Sequence, residues 1–172
     1  MAQLVPVSRE RHAGRYWRRF SDLFFVAKAS MAPLVARELP IAALNFPSAF
    51  AKEKDRYTLV GLFSLFPGQN LYVSPEGKWL SDYLPAYFRS HPFYLLNRKD
   101  SSEMALCVDE DSGLVVEDKG EPFFGPTGEL SKPVKDTFEM LKQAEQNRQG
   151  TQLAVAALDE AGLIIPWDIK AV

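Results

Sequence analysis

Cysteine and histidine are scarce: the 172-residue chain has one cysteine, Cys107, and two histidines, His12 and His91. A single cysteine excludes an internal disulfide framework and every multi-cysteine zinc site. Neither histidine opens an H-x-D/E or H-E-x-x-H pattern, so a two-histidine, one-carboxylate iron site would have to use both. No metal and no cofactor is assigned. Phosphate-binding and hydrolase signatures are also missing. The stretch from Gly125 to Lys132 lacks the glycine–lysine spacing of a phosphate loop, and no G-x-G-x-x-G or G-x-S-x-G occurs. No residue is assigned a catalytic role. Charge of one sign is lacking too: 20 Lys plus Arg stand against 22 Asp plus Glu, a net −2, which excludes polyanion binding driven by overall charge. The longest apolar run, Leu153 to Leu158, is far short of the about 20 residues that cross a bilayer, so no transmembrane segment is expected. The N-terminus has no basic region followed by about 7–15 apolar residues, and the sequence alone points to the cytoplasm. No internal repeat or low-complexity tract divides the chain.

Aromatic residues, by contrast, are plentiful: 12 Phe, 6 Tyr and 3 Trp supply large buried areas for one globular domain over residues 1–172. The charge is unevenly spread. Residues 1–20 hold Arg9, Arg11, Arg15, Arg18 and Arg19 against Glu10 alone, a local +4 that leaves −6 on the rest. Tyr16, Trp17, Phe20, Leu23, Phe24 and Phe25 make this segment too aromatic for a free tail. Residues 1–25 are therefore expected to form a basic, aromatic arm packed on the body. Single-stranded nucleic acid or an anionic glycan could use such an arm, with Arg15, Arg18 and Arg19 as anion contacts. A structural strap, its aromatics in the core and its arginines paired with the acidic body, is the favoured alternative, and nucleic acid the disfavoured partner.

The pattern predicts an α+β fold: a mainly antiparallel sheet, several short helices and a longer amphipathic helix near the C-terminus. Leu4 to Val7 reads as a short strand. Pro33 and Pro40 suggest two short helices, the second started by Pro40. Arg56 to Leu65 reads as a buried strand, paired with Leu71 to Val73 across the Pro67–Asn70 turn. After a turn at Ser74–Gly77, a short aromatic helix is expected near Ser81 to Phe88, stopped by His91-Pro92. Phe93–Leu96, Ala105–Val108 and Leu114–Glu117 then read as three antiparallel strands, the last two joined at Asp109–Gly113. Ser131-Lys132-Pro133 starts a helix whose buried stripe is Val134, Phe138, Leu141 and Ala144. Gly150 and Thr151 are expected to break it, with a shorter helix running to Ala161 and a left-handed cap at Gly162. Leu163 to Trp167 should leave as an extended segment.

Few residues invite chemistry. Cys107 could be a thiolate nucleophile paired with His91, but inside a strand it reads first as a small core residue. Asp109, Asp111, Glu117 and Asp118 have the wrong spacing for a calcium loop and read as a solvated hairpin tip. Trp79, Tyr83, Tyr87 and His91 could line a small-molecule pocket, faced by Arg9 and His12; an aromatic group of this kind, with Phe88, is more often a core cluster.

The order of motifs carries a resemblance. Leu62-Phe63, then Pro67-Gly68-Gln69-Asn70-Leu71-Tyr72-Val73, Gly77-Lys78-Trp79, Tyr83-Leu84-Pro85-Ala86-Tyr87-Phe88-Arg89 and His91-Pro92-Phe93 resemble the SapC family of bacterial proteins. Ser8-Arg9-Glu10-Arg11-His12, Ala32-Pro33-Leu34-Val35 with Glu38, Ala105-Leu106-Cys107-Val108-Asp109-Glu110, Gly120-Glu121-Pro122-Phe123-Phe124 and Leu158-Asp159-Glu160-Ala161-Gly162-Leu163 extend the likeness over nearly the whole chain. The family name derives from a surface layer, the paracrystalline coat outside some bacterial cells. The resemblance therefore implies a non-enzymatic interaction protein of the surface layer or envelope, brought to the cell surface by leaderless export. It implies an envelope or other protein partner, leaves a homo-oligomer open, and brings no catalytic residues with it. Similar proteins usually continue beyond Leu163–Trp167 with further strands, so a missing C-terminal portion is also expected.

Overall fold

The structure is a computed structural model that describes residues 3–97 and 103–167. In chain order these form β1 (Leu4–Pro6), α1 (Arg9–His12), β2 (Tyr16–Trp17), β3 (Met31–Pro33), α2 (Leu39–Ala42), β4 (Ser48–Glu53), β5 (Arg56–Leu62), α3 (Ala86–Arg89), β6 (Phe93–Asn97), β7 (Met104–Asp109), β8 (Val115–Val116), β9 (Glu121–Pro122) and α4 (Lys132–Glu160). The strands make three three-stranded antiparallel sheets, ordered β1-β7-β6, β8-β2-β9 and β3-β5-β4. This is the expected α+β class.

The chain divides into two compact units. Residues 1–21 and 90–145 make the first, which holds the first two sheets; residues 22–89 and 146–172 make the second, which holds the third. α4 supplies its first half to one unit and its second half to the other.

The core of the first unit is one apolar cluster. Trp17 from β2, Phe93 from β6, Leu106 and Val108 from β7, Val115 from β8, Phe123 and Val134 are all buried together. Trp17 meets Phe93 edge-on at 4.8 Å and Phe93 meets Phe123 at 5.9 Å, the T-shaped geometry that aromatic quadrupoles prefer. In the second unit Phe46, Phe63, Tyr72, Trp79 and Phe88 pack ring against ring, with centroid separations of 5.3–6.1 Å.

Four expectations require correction. β5 pairs with β4 and β3 instead of Leu71–Val73, whose part is reduced to a single bridge from Val73 to Trp79. Both edges of β5 are already taken, and β4, Ser-Ala-Phe-Ala-Lys-Glu, lacks the β-branched residues that mark a strand. Likewise β8 pairs with β2 instead of β7, because β1 and β6 occupy both edges of β7. The helix expected near Ser81 to Phe88 is confined to Ala86–Arg89. Ahead of it, Trp79 Nε1 donates to the Tyr83 carbonyl at 2.8 Å, and Asn45 Oδ1 accepts from Ser81 Oγ at 2.6 Å and Asp82 N at 3.1 Å; these bonds hold the segment out of a helix.

The fourth correction is that α4 runs unbroken through Gly150 and Thr151. One exposed glycine weakens a helix by only about 1 kcal/mol relative to alanine. The less exposed side continues in steps of three and four residues, from Val134 through half-buried Phe138, Leu141, Ala144 and Asn147 to buried Thr151 and Val155. Thr151 Oγ1 donates to the Asn147 carbonyl at 2.7 Å and accepts from Ala36 N at 2.8 Å, so the residue expected to restart a helix instead anchors its interior. Gly162, at φ +67°, ends the helix as expected, with its N–H on the Asp159 carbonyl and that of Leu163 on Leu158.

Candidate functional site

The polar centre of the first unit is built by α1 and the turn after β7. Arg11, His12 and Arg15 converge on one carboxylate, Glu110, whose side chain is only 10% exposed. Arg11 grips it with two prongs, Nε to Oε1 at 2.8 Å and Nη2 to Oε2 at 2.6 Å. His12 Nε2 lies 3.3 Å and Arg15 Nη1 3.7 Å from Oε1. The Arg11 hydrogen bond, ahead of the surrounding positive charge, holds the Glu110 carboxyl below its ordinary range. His12 is fully buried, its ring 4.8 Å from Phe123, and burial drives its imidazole below the usual histidine value despite Glu110. At neutral pH the group is thus a charged carboxylate clamped by guanidinium beside a neutral imidazole. Both carboxylate oxygens are engaged, which suits a structural tie better than a general base.

The other arginines of the arm are engaged as well. Arg9 donates from Nε to the Gly128 carbonyl at 2.5 Å and from Nη2 to that of Thr127 at 2.9 Å. Gly128 sits at φ +78°, and a Cβ there would fall 1.4 Å from Arg9 Nη2, so glycine makes room for the guanidinium. Arg18 Nε donates to the Lys119 carbonyl at 2.9 Å. Arg19 Nε lies 3.5 Å from Glu121 Oε1, with its guanidinium 6.0 Å from the centre of the Trp17 ring. These contacts are those of a strap.

His91 is buried in the same unit. Its Nδ1 lies 3.4 Å from Tyr94 Oη, its ring 6.3 Å from Phe20, and burial lowers its pKa against the opposing charge of Asp109. Cys107 is buried on β7, opposite Tyr94 and Pro6, and burial pushes its thiol up, away from thiolate. Asp109 belongs to no solvated tip: it is buried, and its carboxylate accepts from Asp111 N at 3.1 Å.

Trp79, Tyr83 and Tyr87 lie in the second unit. There the organising group is Glu38, which the sequence reading names only among the residues of the family resemblance and gives no role. Its buried carboxylate accepts from Val35 N at 3.0 Å, Tyr83 Oη at 2.6 Å and Ala86 N at 2.8 Å, satisfying backbone donors at the starts of a 3-10 turn and of α3. Burial, then the bond and charge of Glu38, raise Tyr83 to about 12, while Arg89 stacks 5.6 Å over its ring. The Tyr83 hydroxyl is thereby committed, and Trp79 is packed among Phe63, Tyr72 and Phe88. Tyr87 is exposed.

Two further features escape the motif search. A groove of about 830 Å³ lies between the β4–β5 hairpin, which contributes Lys54, Arg56 and Tyr57, and the second half of α4, which contributes Gln152, Leu153 and Asp159. The loops of the same unit also carry large exposed apolar side chains, Phe24, Phe66, Leu71 and Leu80 among them. Hydrogen bonds tie these loops together: Asn70 Nδ2 donates to the Val26 carbonyl, Leu71 N to Phe63, Leu80 N to Tyr72 and Leu23 N to Gly77. Among the described residues no cluster of three or more His, Cys, Asp or Glu could hold a metal ion, and no helix is long and apolar enough to cross a membrane.

Fold and site together define an α+β protein in which Glu38, Tyr83, Glu110 and the arginines of the arm are engaged in internal ties. The chain belongs to the SapC family, whose model matches residues 7–172. No curated protein and no solved structure matches it.

Proposed function

We propose that this SapC-family protein acts by association and without catalysis, docking a protein of the bacterial surface layer or envelope through the apolar loops of its second unit. The observation that carries the reading is the exposure of Phe24 at 56%, Phe66 at 57%, Leu71 at 58% and Leu80 at 62% on loops that are hydrogen-bonded to one another. Large apolar side chains left in solvent on loops tied to one another are the material of an interaction site when they form one patch. Support also comes from the groups that a catalyst would need: Cys107 favours its thiol, Tyr83 donates to Glu38, and Glu110 is clamped by arginine. An aromatic pocket that would recruit Trp79 and Tyr83 finds them already packed or hydrogen-bonded.

Fractionation of the native cells, followed by affinity capture, tests this reading. The tagged protein should co-sediment with the envelope and retain a partner there. The triple variant Phe66→Ser, Leu71→Ser, Leu80→Ser should lose that partner with its thermal midpoint little changed. A protein confined to the cytosol with no envelope partner would refute the proposal.

A further inference from the structure

We propose that α1 is an acid-released latch: at neutral pH His12 and Glu110 fasten its C-terminal end to the first unit, and protonation of the pair lifts that end while the strands on either side stay in place. The latch lies wholly in the first unit and is independent of the loops assigned to an envelope partner.

A four-residue helix does not hold itself together in water. α1 has two helical hydrogen bonds, from His12 N to the Ser8 carbonyl at 2.9 Å and from Ala13 N to that of Arg9 at 3.1 Å, and the Ser8 side chain gives it no cap. Its flanks are better anchored. β1 pairs with β7 through Leu4–Pro6, and β2 lies between β8 and β9. Side-chain contacts therefore decide whether the short stretch between β1 and β2 stays down. At the N-terminal end of α1, Arg9 donates to the Thr127 and Gly128 carbonyls, bonds that involve no group titrating near neutral pH.

The C-terminal end depends on groups that do titrate. His12 is fully buried, with Nδ1 3.2 Å from Ser8 N and Nε2 3.3 Å from Glu110 Oε1. A carboxylate only accepts, so the ring hydrogen belongs on Nε2 and the bare Nδ1 accepts from Ser8 N–H. The neutral ring thus ties the last residue of α1 back to the residue before its first. A second proton turns Nδ1 into a donor and leaves that N–H without its acceptor. It also adds a buried charge where Arg11 and Arg15 already set two positive charges against the one carboxylate of Glu110.

Among the described residues, the charged groups acting on the ring are Glu110, Arg15 and Arg11. Burial lowers the His12 pKa against the Ser8 carbonyl, 3.2 Å from Nδ1, and against Glu110; Arg15 and Arg11 lower it further. The Arg11 hydrogen bonds, at 2.8 and 2.6 Å, hold the Glu110 carboxyl below its ordinary range. Both groups bind a proton less readily in the closed latch than in the open one. Acid therefore favours opening, through His12 below pH 6.5 and through Glu110 below pH 4.5. Lifting His12 takes its ring off Phe123, 4.8 Å away, and uncovers one side of a phenylalanine that is fully buried at neutral pH.

Hydrogen exchange of the full chain, read residue by residue and corrected for intrinsic rates, tests the latch. Between pH 7 and pH 5 the His12, Ala13 and Arg15 amides should exchange faster than those of β1 and β2. Their opening constant should rise by up to about tenfold per pH unit below the ordinary histidine value of 6.5. His12→Gln should abolish that rise at α1, while the fall in protection at β6 and β7, to which His91 contributes, persists. Glu110→Gln keeps the shape and removes the charge, and should cost α1 about tenfold or more in protection already at pH 7. Circular dichroism of both variants should match the wild type, and the wild-type profile decides by itself should a variant fail to fold. The imidazole nitrogen shifts at pH 7 should place the hydrogen on Nε2. A hydrogen on Nδ1 instead would overturn the proposal. So would α1 amides that exchange no faster than β1 and β2 at any pH, α1 protection indifferent to pH, or a pH dependence that survives both substitutions.

Discussion

The two units dispose of their apolar surface differently. Among the described residues, the first unit exposes only Leu96 and Met140 of its large hydrophobic side chains, whereas the second exposes fifteen, from Phe24 to Trp167. The polar groups follow the same division. In the first unit each arginine of the N-terminal arm meets Glu110, Glu121 or a loop carbonyl, with Arg11 and Arg15 sharing Glu110. The second unit keeps a buried carboxylate, Glu38, to hold its own turns, and leaves its loops, the groove and the end of α4 open. The arm's arginines have carbonyls and carboxylates to tie, while the surface proposed for a partner lies where the sequence looks like ordinary core.

The sharpest way to break this comparison is to truncate an aromatic in each unit. Phe123 is fully buried, against His12 and Phe93, and Phe123→Ala should cost about 3–5 kcal/mol in chemical denaturation. Phe24, exposed, should lose no more than about 0.5 kcal/mol on conversion to serine. Equal losses would mean that the apolar loops of the second unit are core after all.

The sequence made some of this legible and hid the rest for identifiable reasons. Turns and caps were readable where a residue's own backbone decides them, as at Gly162, and so was the α4 stripe that begins at Val134. Strand partners were not. Leu71–Val73 has the composition of a strand, but β4, poorer in strand-forming residues, holds the edge of β5, and edges are settled by tertiary competition. Cys107, flanked by Leu106 and Val108 in a strand, is legible as core and is buried. Glu110 and Glu38 stand in the motifs of the family resemblance, but their roles are not legible there because those rest on partners 99 and 45 residues away, Arg11 and Tyr83. The spacing of Arg11 and Arg15, four apart around His12, was the one local hint of a shared anion.

A middle-sized effect should come from Glu38, the polar anchor of the second unit. Glu38→Gln keeps the shape but can offer only one acceptor oxygen, so Val35 N, or else Tyr83 Oη with Ala86 N, would face an amide donor. The expected loss is about 1.5–3 kcal/mol, the worth of a hydrogen bond to a charged group. Ultraviolet titration gives an independent readout: Tyr83, raised to about 12, should fall back toward 10 when the carboxylate charge is removed. An unchanged tyrosine titration would show that burial alone sustains the shift.

The smallest effect is the one most specific to a unit. Both histidines of the chain lie in the first, and burial lowers both below the ordinary histidine value of 6.5. A histidine that resists protonation when folded but accepts it when unfolded contributes stability fully present above pH 6.5, and that contribution declines as pH falls below 6.5 toward the folded-state value. The hydrogen bond with the Ser8 backbone, and then Glu110, oppose the shift at His12, and Asp109 opposes it at His91; Arg15 and Arg11 act in the same direction as burial at His12. The carboxyl of Glu110, held below its ordinary 4.5, adds its own loss only at lower pH. Hydrogen exchange between pH 7 and pH 5, corrected for intrinsic rates, should therefore show protection of the β6 and β7 amides falling while that of β4 and β5 holds. His12→Gln should reduce the difference, and a uniform fall across both units would show that they open together, so that the contrast in their surfaces has no counterpart in their stability.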